Sequence, residues 1–291
     1  MRVFLTVARA ESLSGAAPIL KMDPATLGRR IARLELAVGA ALFVKSPQGY
    51  ALTDLGGRMQ EAAEVAETAL SRAMDAGQAG EGMTGQIRIG APDGCANFLL
   101  PKVCADIRAA NPGLEVQILA LPRVVNLSRR EADMAVTVSP PGAGRLTVQK
   151  ITDYRLHLAQ LAAAPVPRTL EALKDRSVVG YIPDMIFDSA LDYLGPLAAE
   201  GVQMASNSVS VQLQMLRAGG GIGIVHDFAL PFAPELRRVL MDQVSLVRSF
   251  YLVRHAADRR SDRLNRFAAA LSAGLWAEVA RLESLTESPR V

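Results

Sequence analysis

The chain has 291 residues, half of them hydrophobic and 21% charged, a composition that excludes a disordered or low-complexity chain and is typical of two or three folded domains. Its net charge is only +3, but residues 1–60 hold eight basic and four acidic side chains, so we expect a polyanionic partner for this segment alone. The sequence has no signal peptide and no apolar run that approaches the ~20 residues of a membrane helix. We therefore expect a cytoplasmic protein without a membrane partner.

Two short helical patterns open the chain. Apolar residues at positions 3, 4, 7 and 8 predict a first helix, which starts abruptly. Ser14 is a candidate cap for a second helix that ends at Leu20. Pro18 would kink this second helix if it lay beyond the first turn.

Residues 23–38 predict a third helix, with Asp23 as its N-cap, Pro24 at its first position and Gly39 as its C-terminal cap. An apolar stripe follows the helical repeat, and a basic stripe lies about 100° away from it. The apolar stripe consists of Leu27, Ile31, Leu34 and Val38, and the basic stripe of Thr26, Arg29, Arg30 and Arg33. With the preceding helix this pattern predicts a helix-turn-helix. The basic stripe alone is equally consistent with an ordinary solvated surface.

A short hairpin is predicted directly after the third helix. Residues 42–44 and 50–52 predict two strands around a turn that contains Pro47 and Gly49. A hairpin in this place makes the helix-turn-helix a winged one, with Lys45, Ser46 and Gln48 at the tip of the wing.

Residues 53–79 predict a long helix that Thr53 caps. Its apolar residues recur every three or four positions in a coiled-coil-like seam, which consists of Leu55, Met59, Ala62, Ala66, Leu70 and Ala73. Packing of this stripe on its own domain is the alternative. Four glycines between residues 77 and 85 predict a flexible hinge after the helix.

Strand and helix patterns alternate from residue 86 onward, which predicts α/β units built on a parallel sheet. The predicted strands cover residues 86–91, 114–120, 133–139, 154–161, 177–181, 202–206, 222–225 and 249–254. The predicted helices cover residues 98–110, 124–131, 169–175, 187–199, 209–218 and 258–285.

A ligand of such a sheet binds beyond the carboxyl ends of the strands, where helix N-termini offer free N–H groups. Loops after three strands supply candidate residues, and two further residues are expected to complete the cleft. The candidates are Pro92, Asp93, Gly94, Cys95 and Ala96; Thr137 and Ser139; Asn207, Ser208 and Val209; and Tyr181 and His226. Capping of the next helix is the alternative role of Ser208. Asp93 is expected to disfavour an anionic ligand unless its side chain points to solvent.

The sequence contains no catalytic or metal-binding pattern. Its three histidines lack metal-ligand spacing, and there is no Gly-x-Ser-x-Gly motif. The glycine run at residues 219–223 does not follow a strand, so we interpret it as a helix-to-strand turn. The two cysteines, Cys95 and Cys104, are expected to be reduced and at least partly buried, with redox sensing by Cys95 as the alternative. We therefore expect no enzyme, no metal and no cofactor.

The motifs of the first segment closely resemble the N-terminal domain of LysR-type transcriptional regulators. The resemblance rests on the order and spacing of residues 12–35, Leu42-Phe43, Gly49-Tyr50, Leu52-Thr53 and Gly56. It implies a multidomain chain: an all-α winged helix-turn-helix domain at residues 1–57 with its motif at 12–31, a linker and dimerisation helix with a hinge at 58–85, and an α/β effector domain at 86–291. The effector domain is expected to resemble periplasmic binding proteins, with one Rossmann-like subdomain at 86–160 and 250–291 and another at 161–249.

The resemblance also implies a function. The chain is expected to bind double-stranded operator DNA as a homodimer or homotetramer, to respond to an unknown small-molecule effector and to have RNA polymerase as a further partner. The expected DNA-binding residues are Ser14, Pro24, Ala25, Thr26, Arg29, Arg30, Arg33, Lys45, Ser46 and Gln48.

Two residues depart from the family pattern. Gly28 stands where the family usually has a serine that meets the DNA backbone, and Pro18 is unusual before the turn. Together with the abrupt start, these departures keep a second hypothesis open, a small-molecule-binding protein whose DNA-binding domain has decayed. An enzyme built on the same α/β domain is the third, and it lacks catalytic residues.

Overall fold

The computed structural model describes residues 1–46, 49–75, 82–120, 131–142, 144–193 and 201–287, with residues 45, 46, 65 and 68–75 described by their backbone alone. The chain divides into two compact units, Met1–Gly80 and Glu81–Val291. The described elements of the first unit are helices α1 (Arg2–Ala10), α2 (Leu13–Leu20) and α3 (Pro24–Val38), strands β1 (Phe43–Ser46) and β2 (Gly49–Leu52), and helix α4 (Asp54–Asp75). The predicted winged helix-turn-helix is therefore confirmed.

Helix α3 begins and ends as its sequence predicts. The Asp23 carboxylate accepts a hydrogen bond from the Thr26 backbone N–H at 2.8 Å, and Gly39 has a left-handed backbone with φ of 77°. Leu27 and Ile31 are buried in the core of the unit. The predicted apolar stripe is wrong at its end, because Val38 is 39% exposed in the last turn.

Helix α2 differs from its prediction at the cap. Ser12, and not Ser14, precedes the helix, and its hydroxyl accepts a hydrogen bond from the Gly15 N–H at 3.0 Å. Ser12 has the extended backbone of an N-cap, whereas Ser14 already lies inside the helix and is exposed. Pro18 is also exposed, and the helix ends only two residues after it.

The wing is tied closely to the helices. The Thr53 hydroxyl caps α4 by accepting from the Gly56 N–H at 3.0 Å. A Cβ atom at Gly56 would lie only 2.1 Å from the Leu42 carbonyl oxygen, so this close approach requires glycine.

The predicted seam of α4 is partly wrong. Leu55 and Met59 pack against the core of their own unit, together with Ala63, while Ala62 and Ala66 are exposed. The beginning of the stripe therefore packs on its own domain, which was the alternative interpretation.

The second unit contains strands and helices in alternation. Its first part comprises β3 (Gly85–Ala91), α5 (Asp93–Phe98), α6 (Leu100–Ala110), β4 (Leu114–Ala120), β5 (Met134–Thr137) and the long strand β6 (Leu146–Leu161). Its second part comprises β7 (Val178–Gly180), β8 (Met204–Ala205), α7 (Val209–Arg217), β9 (Ile222–His226), β10 (Leu236–Arg238), β11 (Ser245–His255) and α8 (Asp262–Glu287). Short 3-10 helices cover Leu170–Leu173, Pro183–Met185, Ser189–Leu191, Asp227–Phe232 and Ala256–Arg260.

The strands of this unit form one mixed sheet within the described residues. Its order is β4-β3-β5-β11-β6-β9-β7-β8, with β10 paired to β6. β3 is parallel to β4 and β5, and β7 is parallel to β8 and β9. β6 and β11 are antiparallel to each other and join a first half (β3–β5) to a second half (β7–β9). This arrangement confirms the predicted α/β fold of two halves.

Several predicted boundaries are wrong. The helix expected at 98–110 corresponds to α6, which begins at Leu100, and the short helix α5 precedes it where a loop was expected. The helix expected at 169–175 is only a 3-10 turn at Leu170–Leu173. The helix expected at 187–199 holds only the 3-10 turn Ser189–Leu191 in its described part, which ends at residue 193. Of the helix expected at 124–131, residues 124–130 lie outside the described part of the chain. Among the helices that are described, none is both long and apolar enough to cross a membrane.

Candidate nucleic-acid interface and ligand cleft

The exposed face of α3 carries three arginines. Arg29, Arg30 and Arg33 are exposed, on the side of the helix away from the buried Leu27 and Ile31. Arg29 donates a hydrogen bond from Nη2 to the Thr26 hydroxyl at 2.8 Å. Neither Arg30 nor Arg33 forms a hydrogen bond or ion pair with any described residue. Two guanidinium groups with rigid paired donors are thus available to an anionic partner.

The other sequence-predicted DNA-binding residues are placed as follows. Ser14, Pro24 and Ala25 are exposed, and Thr26 is half-buried. Lys45 and Ser46 are described by their backbone in β1, and Gln48 lies outside the described residues.

Charged residues that sequence reasoning did not use hold the first unit together. The Glu35 carboxylate accepts from the backbone N–H groups of Leu42 at 2.8 Å and Phe43 at 3.1 Å, which ties the end of α3 to the wing. Arg9 of α1 forms ion pairs with Glu67 at 2.9 Å and Glu64 at 3.6 Å on α4. Arg9 is therefore paired within the unit, whereas Arg30 and Arg33 on α3 make no such contact with any described residue.

The second unit places Asp93 at the start of α7. Asp93 begins α5 directly after β3, and its Oδ2 atom accepts from the Ser210 N–H at 2.9 Å, the Ser208 hydroxyl at 3.0 Å and the Ser210 hydroxyl at 3.1 Å. Its Oδ1 atom accepts from the Asn97 amide at 2.9 Å. The side chain is half-buried, and both of its oxygen atoms are hydrogen-bonded to groups of the chain. We call the surface between the two halves, lined by the loops after β3, β5 and β8, the cleft.

Ser208 also caps α7, which is the alternative role that the sequence left open for it. Its hydroxyl accepts from the Val211 N–H at 3.3 Å. Asn207 precedes this cap and is half-buried, and Pro92 precedes α5 with an extended backbone.

The remaining residues of the first loop divide between the cleft and the core. A Cβ atom at Gly94 would lie 3.6 Å from Val209 and 3.7 Å from the His226 ring, so these three positions are adjacent. Cys95 and Ala96, in contrast, are buried in the hydrophobic core. That position gives them no surface to offer a ligand in the cleft.

The loop after β5 makes a second contact between the halves. The Thr137 hydroxyl donates to the Ser139 carbonyl at 2.7 Å, and the Ser139 hydroxyl donates to the carboxylate of Asp188 in the second half. Asp188 also caps the 3-10 turn that follows it, by accepting from the Ala190 N–H at 2.9 Å. The sequence did not predict Asp188 or Ser210 as site residues, because the partner of each is distant in the chain.

Aromatic rings form the floor of the cleft. His226 stacks on Tyr154 with ring centroids 5.4 Å apart and lies 4.9 Å from Phe228 and 6.0 Å from Tyr193. Its Nδ1 atom is buried without a hydrogen bond, and burial lowers the pKa of His226 from 6.5 to about 4. The imidazole is therefore neutral at pH 7.

Tyr181 lies deeper in the second half, edge to face with Tyr193 at 5.8 Å. These two rings line a cavity of about 10 Å³ together with Ile186 and Gln212. Val209 and His226 line another cavity of about 10 Å³ beside it. Each has room for about one water molecule, so neither holds a metabolite in this conformation.

Burial also governs the cysteines. It raises the pKa of the Cys104 thiol to about 11 and that of Cys95 further. Both groups are therefore neutral thiols at pH 7, and a neutral thiol is a poor nucleophile and a poor metal ligand. Within the described ranges, no three His, Cys, Asp or Glu residues are grouped so that they could hold a metal ion.

A winged helix-turn-helix with a basic helix face, followed by a two-halved α/β unit, defines a DNA-binding regulator with an effector domain. The chain matches the bacterial regulatory helix-turn-helix protein, lysR family, over residues 1–57. It matches the LysR substrate binding domain over residues 80–276. The chain belongs to the LysR family of transcriptional regulators.

Individual relatives agree with this assignment. The chain is 26% identical to the Mau operon transcriptional activator of Paracoccus denitrificans over 78% of each chain. It is 27% identical to the HTH-type transcriptional regulator DgdR of Burkholderia cepacia over 79% of this chain and 78% of that one. These relatives are transcription regulators rather than enzymes, as the sequence predicted. A full-length OxyR variant from Pseudomonas aeruginosa shares the fold, with a TM-score of 0.70 at 17% identity over 94% of this chain and 96% of that chain.

Proposed function

We propose that this regulator binds its operator through α3 in the major groove and that a small molecule in the cleft changes the binding. Arg30 and Arg33 are the main contacts of α3, since an arginine can pair with both acceptors on a guanine edge or with a phosphate. Thr26 and Arg29 lie beside them on the same helix face, with Ala25 and Pro24 at its start. The DNA backbone next to the groove is contacted by Ser14 and by the wing residues Lys45, Ser46 and Gln48.

The proposed division of labour follows the two units. Residues 1–57 bind DNA, and residues 58–85 link the domains and form the dimer. Residues 86–291 form the effector domain, and the effector binds between its two subdomains. One subdomain comprises residues 86–160 and 250–291, and the other comprises residues 161–249. The exposed Ala62 and Ala66 of α4 support pairing of this helix with a second copy, in a homodimer or a homotetramer. The protein acts in the cytoplasm, with RNA polymerase as a further partner.

One observation carries the DNA-binding proposal. Arg30 and Arg33 are exposed on a helix that is capped at both ends, and no described residue pairs with them. The caps fix the ends of α3, and a recognition helix must present its side chains at fixed positions.

The test removes one arginine from α3. Footprinting of the DNA that flanks the gene first identifies a protected fragment, and a titration then compares the affinities of wild type and Arg30→Ala for it. We expect Arg30→Ala to weaken specific binding about 5- to 150-fold, equivalent to about 1–3 kcal/mol.

Arg168→Ala is the matched control, because it removes the same charge from an exposed position in the second unit. An Arg30→Ala protein that binds as tightly as this control would exclude α3 from the interface. A wild-type protein that protects no DNA would support the alternative, a small-molecule-binding protein with a decayed DNA-binding domain.

A further inference from the structure

The Asp93 carboxylate occupies an environment suited to an anionic ligand. Helix α7 has nine residues, so its start carries unpaired N–H groups and the positive end of the helix dipole. The Ser210 N–H and the hydroxyls of Ser208 and Ser210 converge there on one oxygen atom of Asp93. The second oxygen accepts from Asn97. Four donors thus satisfy a carboxylate that belongs to the chain itself.

This contact joins the two halves of the unit. Asp93 follows β3 of the first half, whereas Ser208 and Ser210 begin the helix that follows β8 of the second half. A second contact of the same kind runs in the opposite direction, since Asp188 of the second half accepts from the Ser139 hydroxyl of the first half. Carboxylate–hydroxyl hydrogen bonds therefore connect the two halves across the cleft at two places. Both partners of each bond belong to the chain itself.

Resting on the assignment of the cleft as the effector site, we propose that Asp93 is an internal ligand. Its carboxylate takes the anion position at the start of α7, holds the halves together and excludes small carboxylates from the cleft. A second carboxylate would meet the like charge of Asp93 and would find the surrounding donors already engaged. The effector of this regulator is therefore a neutral or cationic small molecule that binds beside Asp93 without replacing it.

The test asks whether a free carboxylate can replace the side chain. Asp93→Ala removes one carboxylate group, and formate is the small anion that corresponds to it. Thermal unfolding of the full chain is measured for wild type and variant in sodium formate and in sodium chloride at equal ionic strength. We expect the variant to unfold roughly 2–8 °C lower in chloride and to recover part of this loss in formate. Wild type should unfold at the same temperature in both salts.

Two variants make the comparison specific. Asp106→Ala removes an exposed carboxylate of α6 that pairs only with Lys102 among the described residues, and it should respond equally to the two salts. Asp93→Asn fills the position with a neutral amide, so it should lose stability without recovering in formate. If Asp93→Ala does not fold in chloride, the folded fraction that formate restores becomes the measured quantity.

Three results would overturn the proposal: no effect of formate on Asp93→Ala, an equal effect on wild type, or an unfolding temperature of Asp93→Ala equal to that of Asp106→Ala. The operator titration separates this outcome from failure of the proposed function. If formate restores stability to Asp93→Ala but leaves its operator affinity unchanged, the internal ligand stands, and coupling between the cleft and DNA binding is excluded.

Discussion

The basic face of α3 and the cleft of the effector unit both concentrate polar groups, but in opposite states. On α3, Arg30 and Arg33 are exposed and make no hydrogen bond or ion pair with any described residue. In the cleft, both oxygens of Asp93 accept hydrogen bonds from the chain, and Asp188 is held in the same way by Ser139. The two arginines of α3 are available to a partner molecule, whereas the carboxylates of the cleft are hydrogen-bonded within the protein.

The difference follows from the solvent around each site. Exposed guanidinium groups are hydrated, so leaving them unpaired costs little stability, and a polyanion can replace the water. A half-buried charge in the cleft has lost part of that water and finds its partners inside the protein. Charges that remain available to a polyanion therefore lie among the exposed side chains, whereas a ligand of the cleft has to compete with contacts that already exist.

The largest effect is expected where the effector unit buries its charges most completely. Asp227 is 1% exposed and accepts from Arg238 at 2.9 Å, with the His157 ring nitrogen also at 2.9 Å. Asp227→Ala removes the acceptor of the buried His157 ring nitrogen and, among the described residues, leaves the Arg238 guanidinium with only the Thr286 carbonyl. We therefore expect it to lower the free energy of unfolding by about 3–5 kcal/mol. Urea unfolding followed by circular dichroism measures the loss.

Asp227→Asn is the matched variant, because its amide oxygen keeps an acceptor in place while the charge is removed. It should lose less stability than Asp227→Ala. The exposed ion pair of Asp106 and Lys102 is the comparison for a surface charge, since breaking it should lower the free energy of unfolding by only about 0–1 kcal/mol. An Asp227→Ala protein as stable as Asp106→Ala would contradict the contrast between paired interior and open surface.

A smaller effect is expected from the buried histidine at the floor of the cleft. His226 has a pKa of about 4 in the folded protein, against 6.5 when it is free of the fold. Between these values the unfolded chain binds more protons than the folded one, so stability falls as the pH is lowered through this window. From about pH 7 to about pH 5 we expect His226 to account for a loss of about 2 kcal/mol.

His226→Phe should abolish this component, since phenylalanine keeps an aromatic ring among Tyr154, Tyr193 and Phe228 but does not titrate. Urea unfolding of both proteins at the two pH values isolates it, because every other titrating group is shared. Equal pH dependence of wild type and His226→Phe would show that water reaches the ring and that the cleft floor is not closed.

Local signals made the first unit predictable. The cap at Asp23, the glycine at its far end and the buried Leu27 and Ile31 all arise from residues within one helix, and the structure confirms them. The errors there are local as well: Ser12 and Ser14 are both capping residues, and only the backbone angles of the folded chain distinguish them.

The second unit was predictable in class but not in detail. Alternating strands and helices indicated two α/β halves. The first half of β6 was missed because residues 146–153 are all exposed or half-buried and lack a clear apolar alternation. The hydrogen bonds of the cleft could not be predicted from the sequence for a different reason. Asp93 and Ser210 lie 117 positions apart, and no periodicity or spacing in the sequence connects two groups at that separation.

The smallest effect is expected at Gly28 of α3, where the chain departs from the family pattern. A Cβ atom at this position would lie 3.4 Å from Leu13, which is an ordinary contact, and the backbone there is helical. Gly28→Ala should therefore stabilise the first unit by about 0.5–1 kcal/mol, the usual gain for glycine to alanine inside a helix. It should leave operator affinity unchanged.

Gly28→Ser adds the hydroxyl that the family usually carries at this place. If the exposed side of α3 lies against DNA, that hydroxyl gains a phosphate contact, and Gly28→Ser should bind the operator about 2- to 10-fold more tightly than Gly28→Ala, equivalent to about 0.5–1.5 kcal/mol. The same titration as for Arg30→Ala measures it. Because both variants remove the helix-interior glycine, a difference between their operator affinities measures the contact of the serine hydroxyl with DNA. Equal affinities would show that position 28 faces away from the backbone and that Arg30 and Arg33 approach the groove from the other side of the helix.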